Sequence, residues 1–168
     1  ESITWNEAVA FCDRLSQLPE EREQGRAYRL PTEAEWEFAA KEARASAGRP
    51  RPGSTDPHTA LRPYAVTDAR VNEAGLVGIS GNVSEWTEDW FSSDYYVTST
   101  GRDPKGPKDG AVKSFRGAAW NSPPIGRRIT ARDADVPEAR RDDLGFRVVC
   151  VTHAAKKFAA VAREGSSA

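Results

Sequence analysis

The stretch YRLPTEAEWEFAA, residues 28–40, contains the best-specified local structure in the sequence. Thr32 and Glu35 have the T-x-x-E spacing of a capping box, in which each side chain bonds the other residue's otherwise unpaired backbone N–H group. Tyr28 and Leu30, just before it, suit a short extended segment. The stretch therefore predicts a strand that leads directly into a helix beginning at Thr32.

A first helix is predicted upstream, in TWNEAVAFCDRLSQL, where apolar residues recur at three- and four-residue spacings. These residues are Ala8, Phe11, Cys12, Leu15 and Leu18. Pro19 is expected to end the helix, and PEEREQG after it to form a polar turn. Because free cysteine is among the most buried residue types, we expect Cys12 to be a small core residue and not a redox group.

Three extended segments follow a long loop, which is predicted for residues 46–63 from their richness in Pro, Gly, Ser and Arg. The segments are VKSFRGAAW (112–120), GRRITARD (126–133) and LGFRVVCVT (144–152). Two N-terminal helices followed by short, irregularly spaced strands predict an α+β domain with much loop. In the last segment, alternation of Phe146 and Cys150 with Arg147 predicts that Cys150 points inward.

Composition excludes several classes of partner. The 168 residues fit a single domain, and the 24 Lys and Arg residues nearly balance the 25 Asp and Glu residues. No strong field therefore favours nucleic acid or an anionic membrane. No apolar run has the length of a membrane span, and no targeting segment is visible at Glu1. We expect a soluble chain, with its compartment and oligomeric state left open.

Several motifs occur in a specific order along most of the chain. They are ITWNEAVAFCDRLS, YRLPTEAEWEFAA, GLVGISGNVSEWTEDWF, FRGAAWN, and ARD followed by GFRVV. Together they resemble the formylglycine-generating enzyme family, also called sulfatase-modifying factors. The resemblance implies the loop-rich variant of the C-type lectin fold, with short antiparallel strands, over residues 1–152, followed by a tail at 153–168. It also implies that the family's N-terminal strands are missing from this chain.

The resemblance implies a position for calcium in GLVGISGNVSEW. Family members hold the ion with an Asp, backbone carbonyls and a Glu, and the matching residues here are Gly78, Gly81, Val83 and Glu85. Gly78 replaces the Asp, so we expect weak calcium binding at most, because ligand charge count tunes affinity. Alternatively, the Glu85 carboxylate accepts hydrogen bonds from backbone N–H groups of the same turn. No other cofactor is expected.

The resemblance also locates the family's catalytic cysteines. Aerobic members oxidise a substrate cysteine to formylglycine with two cysteines that bind copper(I), a soft ion. The matching segment here, residues 118–133, places Asn121, Ser122 and Arg127 in the neighbourhood of those cysteines and contains no thiol. The prediction is a noncatalytic domain, in a bacterial-style multidomain or regulatory protein. The alternative is a family oxidoreductase with a displaced site, which requires an adjacent, exposed pair of Cys12 and Cys150 or a stoichiometric transition metal.

In family members that bind rather than catalyse, the segment from SWN to GFR forms the recognition face. We call the matching segment, Trp120–Asp143, the charged face. The candidate ligand-binding residues on it are Trp120, Asn121, Arg127, Arg128, Arg132, Asp133 and Arg140. A protein or peptide ligand is expected, recognised through ion pairs; the alternative is a solvated surface without a ligand.

Two arginines are expected to have a structural role. The family tends to use the arginines that match Arg132 and Arg147 for packing. A buried arginine needs a carboxylate partner, and the candidates are Glu85 and Asp133.

Overall fold

The computed structural model describes residues 1–45, 63, 65, 75–79, 81–99, 101–123 and 128–152. The helices are α1 (Trp5–Ser16), α2 (Pro19–Glu23), α3 (Glu33–Ala45) and α4 (Tyr95–Thr98). The strands are β1 (Arg26–Arg29), β2 (Ser84–Trp90), β3 (Lys113–Arg116), β4 (Arg132–Asp135), β5 (Leu144–Phe146) and β6 (Val149–Thr152). This mixture of helices and short strands agrees with the predicted class. The predicted tail and nearly all of the predicted loop at 46–63 lie outside the described residues.

Capping boxes start the two long helices. The Thr32 N–H donates to Glu35 Oε2 at 2.9 Å, and the Glu35 N–H donates to Thr32 Oγ1 at 3.2 Å, which confirms the predicted start of α3. The same reciprocal pair joins Thr4 and Glu7 at the start of α1. Each box satisfies backbone donors that have no partner inside the helix.

The predicted apolar stripe of α1 is correct for only part of its length. Ala8 and Cys12 are fully buried, but Phe11 is 42% exposed. Leu18 lies beyond the end of α1, as the N-cap of α2, and is 46% exposed. Only a narrow side of α1 contacts the core, so Phe11 lies at its margin. Phe11 there makes an edge-to-face contact with Phe146, with ring centroids 5.3 Å apart.

The polar segment after α1 forms a helix and not the predicted turn. Pro19 is the first residue of α2. A proline fits the first helical position because its missing N–H has no intrahelical partner there. Gly25, with φ of 62°, ends this short helix region. Among the described residues, no helix is long and apolar enough to cross a lipid bilayer.

The larger sheet has the strand order β4-β3-β2-β5. The β2–β3 and β3–β4 pairs are antiparallel as predicted, whereas β2 and β5 are parallel. These two strands begin at the same end of the sheet, where the Ser84 N–H donates to the Asp143 carbonyl at 2.8 Å. β2 therefore lies in the interior of the sheet, and the sequence GNVSEWTEDW supplies its central strand.

The last extended segment forms two strands, β5 and β6, in different sheets. β6 pairs antiparallel with β1, and Cys150 lies opposite Tyr28. The chain leaves the larger sheet after Phe146, so the alternation that starts there does not continue into β6. Cys150 is consequently exposed, and the prediction that it points inward is wrong.

The outer edge of β4 is occupied by its own side chains. Asp133 Oδ1 accepts from the Ala134 N–H, and Asp135 Oδ1 accepts from the Val136 N–H, each at 2.9 Å. Short aspartate side chains compete in this way for backbone donors. An additional strand would have to displace them before it paired with this edge.

Candidate functional site

The charged face and the turn at residues 81–83 meet beside the start of β2. The Trp120 N–H donates to the Asn82 carbonyl at 2.9 Å, and Asp143 contacts the start of β2 through Ser84. Asn82 has φ of 74°, a left-handed conformation that asparagine tolerates well. The two regions that the sequence singled out are therefore neighbours.

Glu85 in this region is buried and bonded to two distant parts of the chain. Its Oε2 accepts from Trp36 Nε1 at 2.7 Å and from Arg147 Nε at 2.5 Å. Its Oε1 accepts from Arg147 Nη2 at 2.6 Å. Glu85, one of the two candidate carboxylates, is therefore the partner of Arg147, and it accepts from indole and guanidinium donors. It thereby joins α3, β2 and the segment between β5 and β6.

These contacts bear on the predicted calcium position. Calcium takes six to eight oxygen ligands, and carboxylates contribute most of the binding charge. Gly78, Gly81 and Val83 offer only backbone carbonyls, and the Gly78 carbonyl already accepts from the Gly81 N–H at 3.2 Å. Arg147 places a positive charge on both Glu85 oxygens. The residues present therefore do not fit an ion held through Glu85, and a calcium titration tests the predicted position.

Arg132, a candidate ligand-binding residue, is bonded to the protein interior. Its Nε and Nη2 donate to the two oxygens of Glu33 at 2.6 and 2.8 Å. Its guanidinium also lies over the rings of Phe91 and Tyr96, 4.8 and 4.6 Å from the centroids. The structural role expected for Arg132 is confirmed, but its partner is Glu33 and not Glu85 or Asp133.

Glu33 is the centre of a buried ionic network. Besides Arg132, its carboxylate accepts from Arg116 Nη1 at 3.0 Å and from Ser114 Oγ at 2.6 Å. Burial favours the neutral acid, but the bonds from Arg132 and Ser114 outweigh it, so the pKa of Glu33 lies below its ordinary value. Arg116 also pairs with Glu37 at 2.6 Å. Two arginines and two glutamates thus balance one another inside the domain.

Asn121 and Ser122, in the neighbourhood where the resemblance locates catalytic thiols, hold local structure. Asn121 Nδ2 donates to Asp143 Oδ2 at 2.9 Å, and Ser122 Oγ accepts from the Ala119 N–H at 2.9 Å. Arg141 donates to both oxygens of Asp143 at 2.8 and 2.9 Å. The Arg141 bonds, aided by Asn121, hold the pKa of Asp143 below its ordinary value.

The two cysteines of the chain lie on different elements. Cys12 is 1% exposed in the core face of α1, and burial raises the pKa of its thiol. Cys150 is exposed on β6. A displaced oxidase site built from these thiols requires both to be exposed, and the burial of Cys12 does not meet that condition.

The remaining residues of the charged face differ in their availability. Arg140 donates to the Ser2 carbonyl at 2.9 Å and to Glu7 Oε1 at 2.5 Å, and this bond lowers the pKa of Glu7 to about 2. Asn121, Arg128, Asp133 and Arg140 are exposed. Trp120 has a buried Nε1 with no hydrogen-bond partner among the described residues. Arg127 lies outside them.

Residues 1–152 match the family described as "Sulfatase-modifying factor enzyme 1-like domain". The chain belongs to this family. It is 34% identical to the formylglycine-generating enzyme of Streptomyces coelicolor, over 86% of this chain and 50% of the enzyme. It is also 35% identical to the serine/threonine-protein kinase pkn1 of Chlamydia pneumoniae, over 86% of this chain and 23% of the kinase.

A solved structure gives the same result for the fold. Treponema denticola variable protein 1 superposes with a TM-score of 0.69 at 25% sequence identity, covering 90% of this chain and 70% of that protein. The chain spans half of the length of the Streptomyces coelicolor enzyme and about a quarter of the kinase. It spans most of the length of the structural neighbour. The proteins to which the chain is similar have quite different names.

Sequence reasoning did not identify Glu33, Arg116 or Asp89 as buried charges of this sulfatase-modifying factor enzyme 1-like domain. Glu33 is the first residue of a helix, where a glutamate is ordinary on an exposed surface. Asp89 follows the exposed Glu88 in the acidic run of β2. Alternation along β2 gives only a weak signal, because residues 84–87 are all buried and the register with β3 shifts between Trp86 and Trp90.

Proposed function

We propose that this domain is a noncatalytic binding module that recognises a protein or peptide ligand through the charged face. One observation carries the proposal. At the positions matched to the thiol neighbourhood of formylglycine-generating enzymes, Asn121 and Ser122 bond to Asp143 and Ala119. A side chain amide and a hydroxyl are poor ligands for copper(I), which selects thiolates. We further propose that the loops are arranged as in the C-type lectin fold.

The named relatives support a scaffold with varied uses. The chain is similar to a protein named as a formylglycine-generating enzyme. It is also similar to part of a protein named as a kinase and to a protein named as variable. A fold that carries several functions gives no grounds for assigning the oxidase activity by itself. The function then has to be argued from the side chains on the surface.

The surface that supports ligand binding has both signs of charge. Arg128 and Arg140 are exposed on the same segment as Asp133. The indole Nε1 of Trp120, on the same segment, is buried and has no hydrogen-bond partner among the described residues, so it is not offered to a ligand at the surface. The exposed charges suit a peptide that carries charged side chains of both signs.

The catalytic alternative is tested first. The purified chain is incubated aerobically with copper(I) and a cysteine-containing peptide, with the Streptomyces coelicolor enzyme as the positive control. Mass spectrometry follows the conversion of the cysteine side chain to an aldehyde. We expect conversion by the control enzyme alone. Aldehyde formation by this chain would replace the binding proposal with the oxidoreductase.

The binding arm uses peptides selected on the immobilised domain by display. Selected peptides are then titrated against the wild type, Arg128→Glu and the control Arg22→Glu, an exposed arginine on α2. We expect affinity to fall at least about tenfold for Arg128→Glu, as for loss of one charge-assisted contact. Equal affinity for all three proteins would show that the charged face is not the recognition surface.

A further inference from the structure

Asp89 is a buried carboxyl group with an incomplete set of partners. The residue is 1% exposed near the end of β2. Its Oδ2 accepts from the Glu33 N–H, at the first turn of α3, at 2.8 Å. Its Oδ1 has no hydrogen-bond partner among the described residues. An ionised carboxylate normally accepts several hydrogen bonds, so this environment is costly for the anion.

The loop at residues 101–112 packs directly against Asp89. Gly106 has φ of +75°, and a Cβ placed on it would lie 2.8 Å from Asp89 Cβ and 3.1 Å from Asp89 Oδ1. Gly110 packs equally closely on Trp90, with the corresponding Cβ 3.1 Å from Trp90 Cβ. The loop therefore touches the carboxyl group itself and helps to separate it from water.

Charged groups from every neighbouring element act on Asp89. Burial raises its pKa to about 6; the Glu33 N–H bond opposes this, while the charges of Glu33 and Glu88 add to it. Other side chains that interact electrostatically with it come from β1, α4, β3 and β4: Arg29, Tyr96, Lys113 and Arg132. The loop that covers it carries charged side chains that are all exposed: Arg102, Asp103, Lys105, Lys108 and Asp109.

We propose that Asp89 and the 101–112 loop form a pH-sensitive latch, closed over the neutral acid and loosened when Asp89 ionises. The neutral acid is compatible with a dry site beside the Glu33 carboxylate. The anion repels Glu33 and leaves Oδ1 without a donor, so it is stabilised when water enters. The proton released on ionisation passes to solvent.

The 101–112 loop is the part of the structure that opens when Asp89 ionises. The other groups around Asp89 lie on β2, β3 and α3, which are held by strand pairing and by the Glu33 network. Within 101–112 there is no helix or strand, and the glycine contacts with Asp89 and Trp90 hold the loop down. Local opening of such a segment costs less than opening of the sheet.

The segment that precedes the loop contacts the charged face. In α4, Tyr96 stacks on the Arg132 guanidinium. Arg132 additionally donates to the Ser92 carbonyl, just before α4, at 3.1 Å.

Hydrogen exchange measured by mass spectrometry on peptides spanning 101–112 tests the latch. After correction for intrinsic exchange rates, we expect protection to fall severalfold between about pH 5 and pH 7.5, a range that brackets the Asp89 pKa. Asp89→Asn keeps an oxygen for the Glu33 N–H but has no charge, so its exchange should be independent of pH. Asp109→Asn, an exposed change in the same loop, should behave as the wild type does.

The same pH dependence in Asp89→Asn as in the wild type would overturn the latch, as would pH-independent exchange in the wild type. An NMR titration of the wild type serves if Asp89→Asn fails to fold. The Asp89 carboxyl carbon and the Gly106 amide should then titrate with one midpoint. Different midpoints would show that the loop does not respond to Asp89.

Discussion

Glu33 shows how much can depend on one side chain. Its single carboxylate receives bonds from Arg116, Arg132 and Ser114 in the interior. A buried ion pair adds little net stability compared with apolar packing, but removal of one partner leaves the other charge without compensation. The Glu33 ion pairs themselves therefore add little to stability. Loss of Glu33 is nevertheless costly, because it leaves the charges of its arginine partners uncompensated in the interior.

Glu33→Ala tests this dependence. We expect the free energy of unfolding in urea to fall by about 3–5 kcal/mol, because two arginines lose their buried partner. Glu42→Ala, an exposed change on the same helix, should stay within about 0.5 kcal/mol of the wild type. A loss of similar size in both variants would indicate a general effect on α3.

Asp89 and Glu33 make the free energy of unfolding depend on pH in opposite directions. The lowered pKa of Glu33 gives stability that is present above its unfolded value and is lost as pH falls through its folded value. The raised pKa of Asp89 means that the folded state holds a proton that the unfolded chain has released. The contribution of Asp89 therefore declines as pH rises from its unfolded pKa to about 6 and is constant above that.

Comparison with Asp89→Asn isolates this contribution. Between about pH 4 and pH 6, the wild type should lose about 2 kcal/mol of unfolding free energy relative to the variant. Denaturant unfolding at intervals across this range measures the difference. A gap between the two proteins that does not change with pH would mean that Asp89 ionises normally in the folded state.

At the level of elements, the loop between α4 and β3 depends on glycines that approach β2 closely. Gly106→Ala should lower the free energy of unfolding by about 1–3 kcal/mol, because the residue has a positive φ and its Cβ would meet Asp89 Cβ at 2.8 Å. Gly101→Ala is the matched control, since a Cβ there meets nothing within 4 Å. Thermal and urea unfolding of both variants measure the contrast. An equal change in unfolding free energy for the two variants would show that the loop can shift to accommodate a Cβ at Gly106 at little cost.

Local rules predicted some elements correctly and failed where partners lie far apart in sequence. The Thr32–Glu35 capping box needs only a spacing of three residues, and the start of α3 follows from it. The orientation of Cys150 depends instead on the passage of the chain between two sheets after Phe146. The choice of Glu33 as the partner of Arg132, 99 residues away, likewise depends on tertiary packing.

The candidate site was predicted in the same partial way. Glu85 was one of two candidate carboxylates for the buried arginines and is the partner of Arg147, but the sequence did not show which arginine it would bind. Asp133 and Arg140 were predicted from the match to the family's recognition segment and from their charge, and both make bonds within the chain that neither reveals. Which exposed charges meet a ligand stays a prediction until the titrations described above.

For the whole molecule, Glu85 is the point where distant segments join. Trp36 from α3 and Arg147 from the C-terminal part of the chain both donate to this one residue of β2. Contacts of such long sequence separation carry a loop-closure cost, which the packing of the folded domain has to offset. The same arrangement decides how the domain should respond to calcium.

Calcium is expected to leave the melting temperature of the wild type unchanged, because Arg147 already neutralises Glu85. Arg147→Met should destabilise the domain by about 2–3 kcal/mol, since the pair is only partly shielded from solvent. Calcium, but not magnesium at the same concentration, should then raise the melting temperature of this variant. A calcium-dependent rise in the wild type would instead restore the predicted site at Gly81, Val83 and Glu85.

The aspartates on the edge of β4 have a consequence for the protein at high concentration. Two molecules that collide through an uncovered strand edge can begin to grow an ordered aggregate. Asp133 and Asp135 occupy edge donors and add negative charge at the place where such growth would start. Their contribution therefore concerns colloidal stability as much as folding, and it permits copies of the domain to be crowded side by side, as in a tandem array, without fusing through this edge.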